Sequence, residues 1–307
     1  MPLAVVHVIL NPTSGGGRAG RHRDEIDREL RARGVDASIH LTRSAGHATE
    51  LAHALAGAGA DLIAAAGGDG TVHEVANGIL TSGARAALAV LPIGTGNDFA
   101  KVVPGARQLP SAYDAVAAGR VAYYDVGYAS WDGGGEYFIN GMGSGIDVEV
   151  VRQLHRLPHL PGPIKYLMGL LRALRIYEPI ALSATTNGER LVRRVMMMAV
   201  GNGICQGGGF YLTPTASPTD GRLELCVIDA LPLWKVPMIL ARVLRGTHAG
   251  HPLVTMRAAE HVRFEANGDA PLYFQLDGEL REPAGAQWLN VEVRKAVLSV
   301  VVAMDTK

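Results

Sequence analysis

The feature that most restricts how this chain folds is the return of a glycine-rich loop directly after each of several short apolar runs. Ala4–Leu10, Asp61–Ala66 and Ala86–Leu91 are strand-length runs of small and β-branched residues, the reading expected of strands buried on both faces of a parallel sheet. They lead into Asn11-Pro12-Thr13-Ser14-Gly15-Gly16-Gly17, Gly67-Gly68-Asp69-Gly70-Thr71 and Pro92-Ile93-Gly94-Thr95-Gly96. Between them, Arg21–Arg33 reads as a charged helix with Ile26 and Leu30 on one side and a stop at Gly34. Val35–Leu41 reads as a further strand, and His47–Ala56 and Thr71–Leu80 as helices. Such βαβα alternation predicts a parallel sheet with helices on its faces. Ligands of these sheets bind beyond the carboxyl ends of the strands, so the loops at 11–17, 67–71 and 94–98 are expected to converge on one edge.

Beyond about Tyr123 the pattern changes. Short strand-like runs are separated by Asp132-Gly133, Asn187-Gly188, Asp220-Gly221, Asn267-Gly268 and Asp277-Gly278, the punctuation of an antiparallel sandwich or barrel. Helical stretches interrupt it near Ile164–Ile176 and Leu233–Arg245, and Ala296–Ala303 is an apolar last strand free to join either half. A length of 307 residues suits two domains. The expected architecture is an α/β domain with a parallel sheet over residues 1–124, to which a strand at about 296–307 returns, and a second, β-rich sandwich domain over 125–295, with a cleft between them.

Charged residues make up 19% of the chain and the formal net charge is zero. That excludes a disordered composition and the basic field of a nucleic-acid binder, so no nucleic-acid partner is expected. Cys205 and Cys226 have no ligand or redox spacing and read as reduced core thiols. The apolar run near Met1 has no basic region before it and is too short for a signal peptide or a span. The location these features suggest is the cytoplasm.

Glycines between a strand and a helix let backbone N–H groups approach an anion closely. Neither GxxxxGK[ST] nor a GxGxxG after the first strand is present, which argues against a P-loop or dinucleotide fingerprint. Plainer readings exist for several of these residues. Thr71-Val72-His73-Glu74 fits a capping box, Asp98 fits an N-cap for a helix through Val102, and Asp277-Gly278 fits a hairpin turn. Asp69 has no such reading: a carboxylate among glycines at a ligand-binding edge must be paired, solvated or close to a cation.

Taken together and in this order, Asn-Pro-x-Ser-Gly from Asn11, Gly-Gly-Asp-Gly-Thr from Gly67 and Pro-x-Gly-Thr-x-Asn-Asp from Pro92 resemble the diacylglycerol kinase catalytic family, which includes bacterial lipid kinases and the sphingosine and ceramide kinases. The middle motif also resembles those of NAD kinases and phosphofructokinases, so the first domain is expected to be NAD kinase/phosphofructokinase-like. The resemblance continues through Asn140-Gly141-Met142-Gly143-Ser144-Gly145-Ile146-Asp147, Gly201-Asn202-Gly203, Pro218-Thr219-Asp220-Gly221 and Asp277-Gly278-Glu279. It implies that ATP is held by Asn11, Pro12, Thr13, Ser14, Gly15, Thr42, Gly67, Gly68, Asp69, Gly70, Thr71 and Thr95. It implies that Asp69 and Asp98 organise a catalytic Mg²⁺ through water, and that Asp277 and Glu279 form the acidic pair, one of which takes the proton from a lipid hydroxyl. It further implies a structural Mg²⁺ on the Asp220 side chain and the carbonyls of Ser217 and Arg222, the last standing where an apolar residue is more usual.

Without a Walker lysine, the charge on the transferred phosphoryl falls to Mg²⁺ and loop N–H groups, with Arg18 and Arg21 either helping or simply solvated. The expected activity is transfer of the γ-phosphoryl of ATP to a lipid hydroxyl, diacylglycerol or a related lipid. The competing functions are a kinase of a soluble acceptor such as NAD and a non-catalytic lipid-binding protein on the same fold. Met196-Met197-Met198 reads either as the lining of an acyl groove or as core strand. Ile164–Arg175, apolar and cationic, reads either as an interfacial helix or as a core helix. The expected partners are a lipid substrate and, peripherally, the inner face of a membrane, and a homodimer is the assembly left open.

Overall fold

The computed structural model describes residues 5–17, 22–157, 162–268 and 271–303. The chain divides into two compact units, Met1–Tyr124 with Ala296–Lys307, and Asp125–Lys295.

In the first unit, β1 (Val6–Leu10), β2 (Ala37–Leu41), β3 (Leu62–Gly67) and β4 (Ala87–Pro92) form a parallel sheet in the order β2-β1-β3-β4. Its helices are the single turn α1 (Ser14–Gly17), α2 (Arg23–Ala32), α3 (His47–Gly57), α4 (Asp69–Ser82) and α5 (Leu109–Ala118). Ile26 and Leu30 of α2 and Tyr113 and Val116 of α5 pack on Val8, Leu10 and Ala64 of the sheet. On α4, Gly78 lets α3 come close: a Cβ there would overlap the Thr49 carbonyl and Ala52.

The capping box that Thr71 and Glu74 would allow does not form. Helix α4 begins two residues earlier, at Asp69, with Gly68 as its N-cap. Glu74 instead accepts the Gly46 and Ala48 N–H groups at 3.0 Å each, so it caps α3. The sequence placed Glu74 on the right kind of task but on the wrong helix, because tertiary packing of α4 on α3 supplied nearer donors.

The second unit is antiparallel. Its strands are β5 (Val121–Trp131, beginning just before the boundary), β6 (Gly134–Phe138), β7 (Gly141–Gly145), β8 (Ile180–Thr186), β9 (Glu189–Gly201), β10 (Leu223–Asp229), β11 (Val254–Ala259), β12 (His261–Ala266), β13 (Phe274–Leu276), β14 (Glu279–Arg281) and the start of β15 (Trp288–Val301). The order is β14-β13-β7-β9-β8-β12-β15, with β10 and β11 continuing from β9. The end of β15 belongs to the first unit, where Val300 pairs with Leu88 in parallel. The chain kinks at the junction, with Ala296 at φ 53.

Three helices, α6 (Ile146–Arg156), α7 (Gly162–Ile176) and α8 (Val236–Val243), pack on one side of β9 and β10. A bulge in β9 decides what they meet. Pairing shifts between Ile228↔Met197 and Asp229↔Val195, leaving Met196 as the extra residue. Met196 and Met197 therefore both face the helices, while Val195 and Met198 face the other core with Phe264 and Phe274. Cys205 and Cys226 are free and buried, and burial pushes the Cys226 thiol up to about 12.

Candidate functional site

Because β1 to β4 run parallel, Asn11, Thr42, Gly68 and Ile93-Gly94 follow their strands at one edge of the sheet. The loops there are locked to one another. Asn11 Oδ1 accepts the Thr13 N–H at 3.1 Å and its hydroxyl at 2.8 Å, and Asn11 Nδ2 donates to the buried Thr71 Oγ1 at 3.3 Å. The Ile93 and Gly94 N–H groups both donate to the Gly67 carbonyl, at 2.9 and 3.0 Å. A Cβ on Gly94 would overlap Gly68 Cα, and one on Gly67 would overlap Thr71 Oγ1. The glycine at 94 thus allows contact between two loops, and the one at 67 the close return of Thr71 within its own loop. Those at 15 and 16 allow left-handed backbone, with φ of 61° and 72°. The first-turn N–H groups of α4, at Asp69, Gly70 and Thr71, point from a helix start beside these glycines, a suitable place for a phosphate. Pro12 and Ser14 sit in the first turn, where Ser14 N–H donates to the Asn11 carbonyl at 3.2 Å. The Thr42 N–H donates to the Leu10 carbonyl at 3.0 Å, and Thr95 is exposed. Arg18 and Arg21 lie outside the described residues.

Two carboxylates join this edge. Asp69 Oδ1 accepts the N–H groups of Asp98 at 2.6 Å and Phe99 at 3.3 Å, tying the second loop to the third. Asp98 stands at the N-cap position of the short turn Phe99–Lys101, but its side chain makes no capping hydrogen bond there. It is buried, and its carboxylate receives Lys101 Nζ at 2.5 Å. A buried carboxylate is tolerable only with such a partner, and Lys101 was not picked out from the sequence. Its spacing, three residues after Asp98 in a short helical turn, was the available signal.

In the second unit, Asp277 and Gly278 turn the β13–β14 hairpin with φ of 50° and 91°. The Asp277 carboxylate accepts three N–H groups, from Ile139 at 2.8 Å, Asn140 at 2.9 Å and Gly141 at 2.8 Å. The Glu279 carboxylate is exposed and has no hydrogen-bond partner among the described residues. The side chain of Gln275 supports the hairpin from below. Its Oε1 accepts the Gly278 N–H at 2.6 Å, and its Nε2 donates to Asp147 Oδ2 at 2.8 Å and to Gln206 Oε1 at 3.0 Å. Burial holds the Asp147 carboxyl above the usual range, only partly offset by the Gln275 hydrogen bond.

Asp147 is also the one ionisable residue lining an otherwise apolar pocket with a cavity volume of about 70 Å³. Met196, Met197, Leu170, Ile228 and Ile239 are among its walls. Met198, grouped with the other methionines in the sequence reading, is not. Leu170 faces this pocket while Leu171 is exposed, so the two differ in role.

The Ser217–Arg222 segment is a loop in which Asp220 Oδ1 accepts the Arg222 N–H at 2.9 Å, and Asp220 and Arg222 are exposed. The loop is anchored by the buried Asp125, which accepts the Gly221 N–H at 2.7 Å and whose own N–H donates to the Pro218 carbonyl at 2.7 Å. Asp125 escaped the sequence reading, although a carboxylate inside the strand run Tyr124-Asp125-Val126 was its signal. Among the described residues no three His, Cys, Asp or Glu side chains cluster as a metal site. A cation at Asp69 and Asp98, or at Asp220, would rely on one or two carboxylates with carbonyls and water. That oxygen-only set fits a hard divalent cation.

Residues 5–129 match the family model of the diacylglycerol kinase catalytic domain. Residues 140–302 match that of the YegS C-terminal NAD kinase beta sandwich-like domain. A diacylglycerol kinase of Bacillus subtilis (strain 168) is 30% identical over 286 residues, covering 92% of each chain. The chain belongs to the diacylglycerol kinase catalytic family. A diacylglycerol kinase of Staphylococcus aureus (strain bovine RF122 / ET3-1) is 28% identical over 93% of this chain and 89% of its own. A crystal structure from Bacillus anthracis str. Sterne superposes with a TM-score of 0.78 at 23% identity, over 97% of this chain and 96% of that one. Another, of a diacylglycerol kinase from the same strain, gives 0.72 at 21% identity over 97% and 96%. These two establish the fold: a parallel α/β domain followed by a sandwich-like one. Membership of this lipid kinase family carries with it the use of ATP and a divalent cation. No helix among the described residues is long and apolar enough to cross a membrane.

Proposed function

We propose that this chain is an ATP- and Mg²⁺-dependent kinase of a lipid hydroxyl, with diacylglycerol or a related lipid as acceptor. The observation that carries the reading is the bond chain Asp147–Gln275–Gly278, which joins the apolar pocket to the hairpin that bears Asp277 and Glu279. A pocket of hydrocarbon walls with one polar end suits an acyl chain whose hydroxyl-bearing end must reach a carboxylate. A soluble dinucleotide acceptor gives such walls no purpose.

The loop edge of the first unit would hold the ATP phosphates through the α4 N–H groups and the interlocked glycines. Asp69 and Asp98 are the residues that would organise Mg²⁺, which when bound offsets phosphate charge. Asp220, with the carbonyls of Ser217 and Arg222, would hold a second ion whose work is structural.

In the transfer, the lipid oxygen bonds to the γ-phosphorus as the bond to the β,γ-bridging oxygen breaks, and ADP leaves. The hydroxyl proton passes to a carboxylate as the new bond forms, since a carboxylate is too weak a base to ionise the alcohol beforehand. Glu279 is the better acceptor. The Asp277 oxygens already serve three backbone amides, which makes Asp277 the group that fixes the hairpin.

Purified protein would be given γ-labelled ATP, Mg²⁺ and a detergent-dispersed lipid panel, with NAD in a parallel tube. The expected result is label in organic-extracted diacylglycerol, falling about 10²–10⁴-fold in Glu279→Gln. Asp277→Asn, which tolerates the left-handed turn, is expected to lose stability by about 1–3 kcal/mol as amides lose acceptors, with a smaller fall in kcat. A larger fall in Asp277→Asn than in Glu279→Gln reverses the two roles. Label only in NAD, or in no lipid, sinks the lipid-kinase reading.

A further inference from the structure

Three polar side chains of the first unit gather on one face of its sheet, at β2, which ends the strand order. In the parallel pairing of β1 with β2, His7 lies opposite Ser38 and Ile9 opposite His40. Side chains two residues apart on a strand share a face. His7, Ser38 and His40 therefore stand together, on the side opposite the core residues Val6, Val8 and Leu10. His7 Nδ1 lies 3.2 Å from His40 Nε2, and Ser38 Oγ lies 3.3 Å from the same nitrogen. The two rings are tilted by 32° with centroids 5.4 Å apart. Neither the phosphate edge nor the acceptor pocket uses any of the three.

A hydrogen bond between the rings requires one facing nitrogen to be unprotonated. Burial, and then the neighbouring His7, hold the His40 imidazole below its usual range, which favours the neutral ring that a metal needs. The gap between the rings is also a chelate bite. Imidazole nitrogens bind zinc at about 2.0–2.1 Å, so two on one ion stand about 2.9–3.4 Å apart at angles from square to tetrahedral. The donor type then selects the ion. Imidazole suits zinc, nickel and copper, whereas magnesium takes oxygen ligands. Structural zinc sites use four protein ligands; two imidazoles, with the Ser38 hydroxyl and water beside them, make an exchangeable site.

We propose that His7 Nδ1 and His40 Nε2 form a two-histidine site for a d-block divalent cation, Zn²⁺, Ni²⁺ or Cu²⁺, which clips β2 to β1. On binding, the proton between the rings passes through solvent to the far nitrogen of its own imidazole, and both facing lone pairs turn to the metal. The clip takes no part in phosphoryl transfer and does not depend on the function proposed above. It steadies two strands that lead into Asn11 and Thr42.

The test uses the full chain with Mg²⁺ in excess, so that oxygen sites are filled by the harder ion. One equivalent of Cu²⁺ is added and its electron paramagnetic resonance spectrum is read for nitrogen couplings. Zn²⁺ affinity is measured by competition with a chromophoric chelator. Coupling to two imidazole nitrogens is expected in the wild type. Zn²⁺ affinity should fall about tenfold or more in His7→Gln and in His40→Gln. His53→Gln removes an exposed imidazole of α3 and should change neither readout. Melting without added metal shows that the variants fold. The nitrogen count is read on wild-type protein, so it decides even where a variant does not. Coupling to fewer than two nitrogens, or unaltered affinity in both strand variants, overturns the proposal. An equal loss in His53→Gln also overturns it, because binding would then be a general property of the chain's histidines.

Discussion

The two ends of the proposed reaction are built from different materials. The phosphate edge of the first unit is mostly backbone: strand ends, glycines in contact, and N–H groups at the start of α4. The acceptor side of the second unit is mostly side chain, gathered from α6, α7, α8, β9 and β10 around Asp147. Backbone sites leave short contiguous motifs, because a loop that must bring its main chain close to another allows only glycine. Side-chain pockets leave scattered apolar residues that read like any core.

The comparison breaks most visibly at Gly94. A Cβ there meets the Gly68 main chain, which no rotamer change can relieve. Gly94→Ala should separate the two loops, cut turnover by about 10²-fold through misplacement of the phosphates, and abolish thermal protection by ATP. Near-normal ATP protection would mean that the edge is not a backbone-built phosphate site.

The acceptor side should respond differently. Met197→Ala removes part of the pocket wall and is expected to cost about 2–5 kcal/mol of stability. In the folded fraction it should raise KM for a long-chain lipid while leaving KM for ATP unchanged. A change in KM for ATP instead would show that the two ends are not separable in this way.

The smallest effect concerns Asp147. Its folded pKa is raised above the ordinary 3.8 by burial, so its stabilising contribution is complete below that ordinary value and is lost as pH rises through the folded pKa. Asp147→Asn cannot ionise. Its unfolding free energy relative to wild type should therefore improve as pH rises above 3.8, measured by urea unfolding across the acid-to-neutral range. A pH-independent difference would mean that Asp147 is already charged in the fold.

Some of the plainer local readings failed for reasons of this same kind. A cap for Asp98 and a capping box for Thr71-Glu74 were the plainer alternatives to the ATP and Mg²⁺ roles that the resemblance implies, and both were local explanations. In the structure Asp98 pairs with Lys101 and Glu74 caps the neighbouring helix α3. Leu170 and Leu171 are neighbours on α7, but a helix turns successive side chains about 100° apart, so one meets the pocket and the other solvent.

By itself, the sequence determined the parallel sheet, the convergence of its loops and the hairpin at Asp277-Gly278, because each follows from local rules: strand period, glycine dihedrals and turn chemistry; the family was legible only through the resemblance of its loop motifs. Only the tertiary structure decided that Asp277 is bound by the amides of residues 139–141 while Glu279 is not, that the β9 bulge turns Met196 and Met197 together into the pocket, and that Gln275 links that pocket to the hairpin. Those facts depend on pairs more than 100 residues apart or on a single shift in strand register, and no local propensity encodes either.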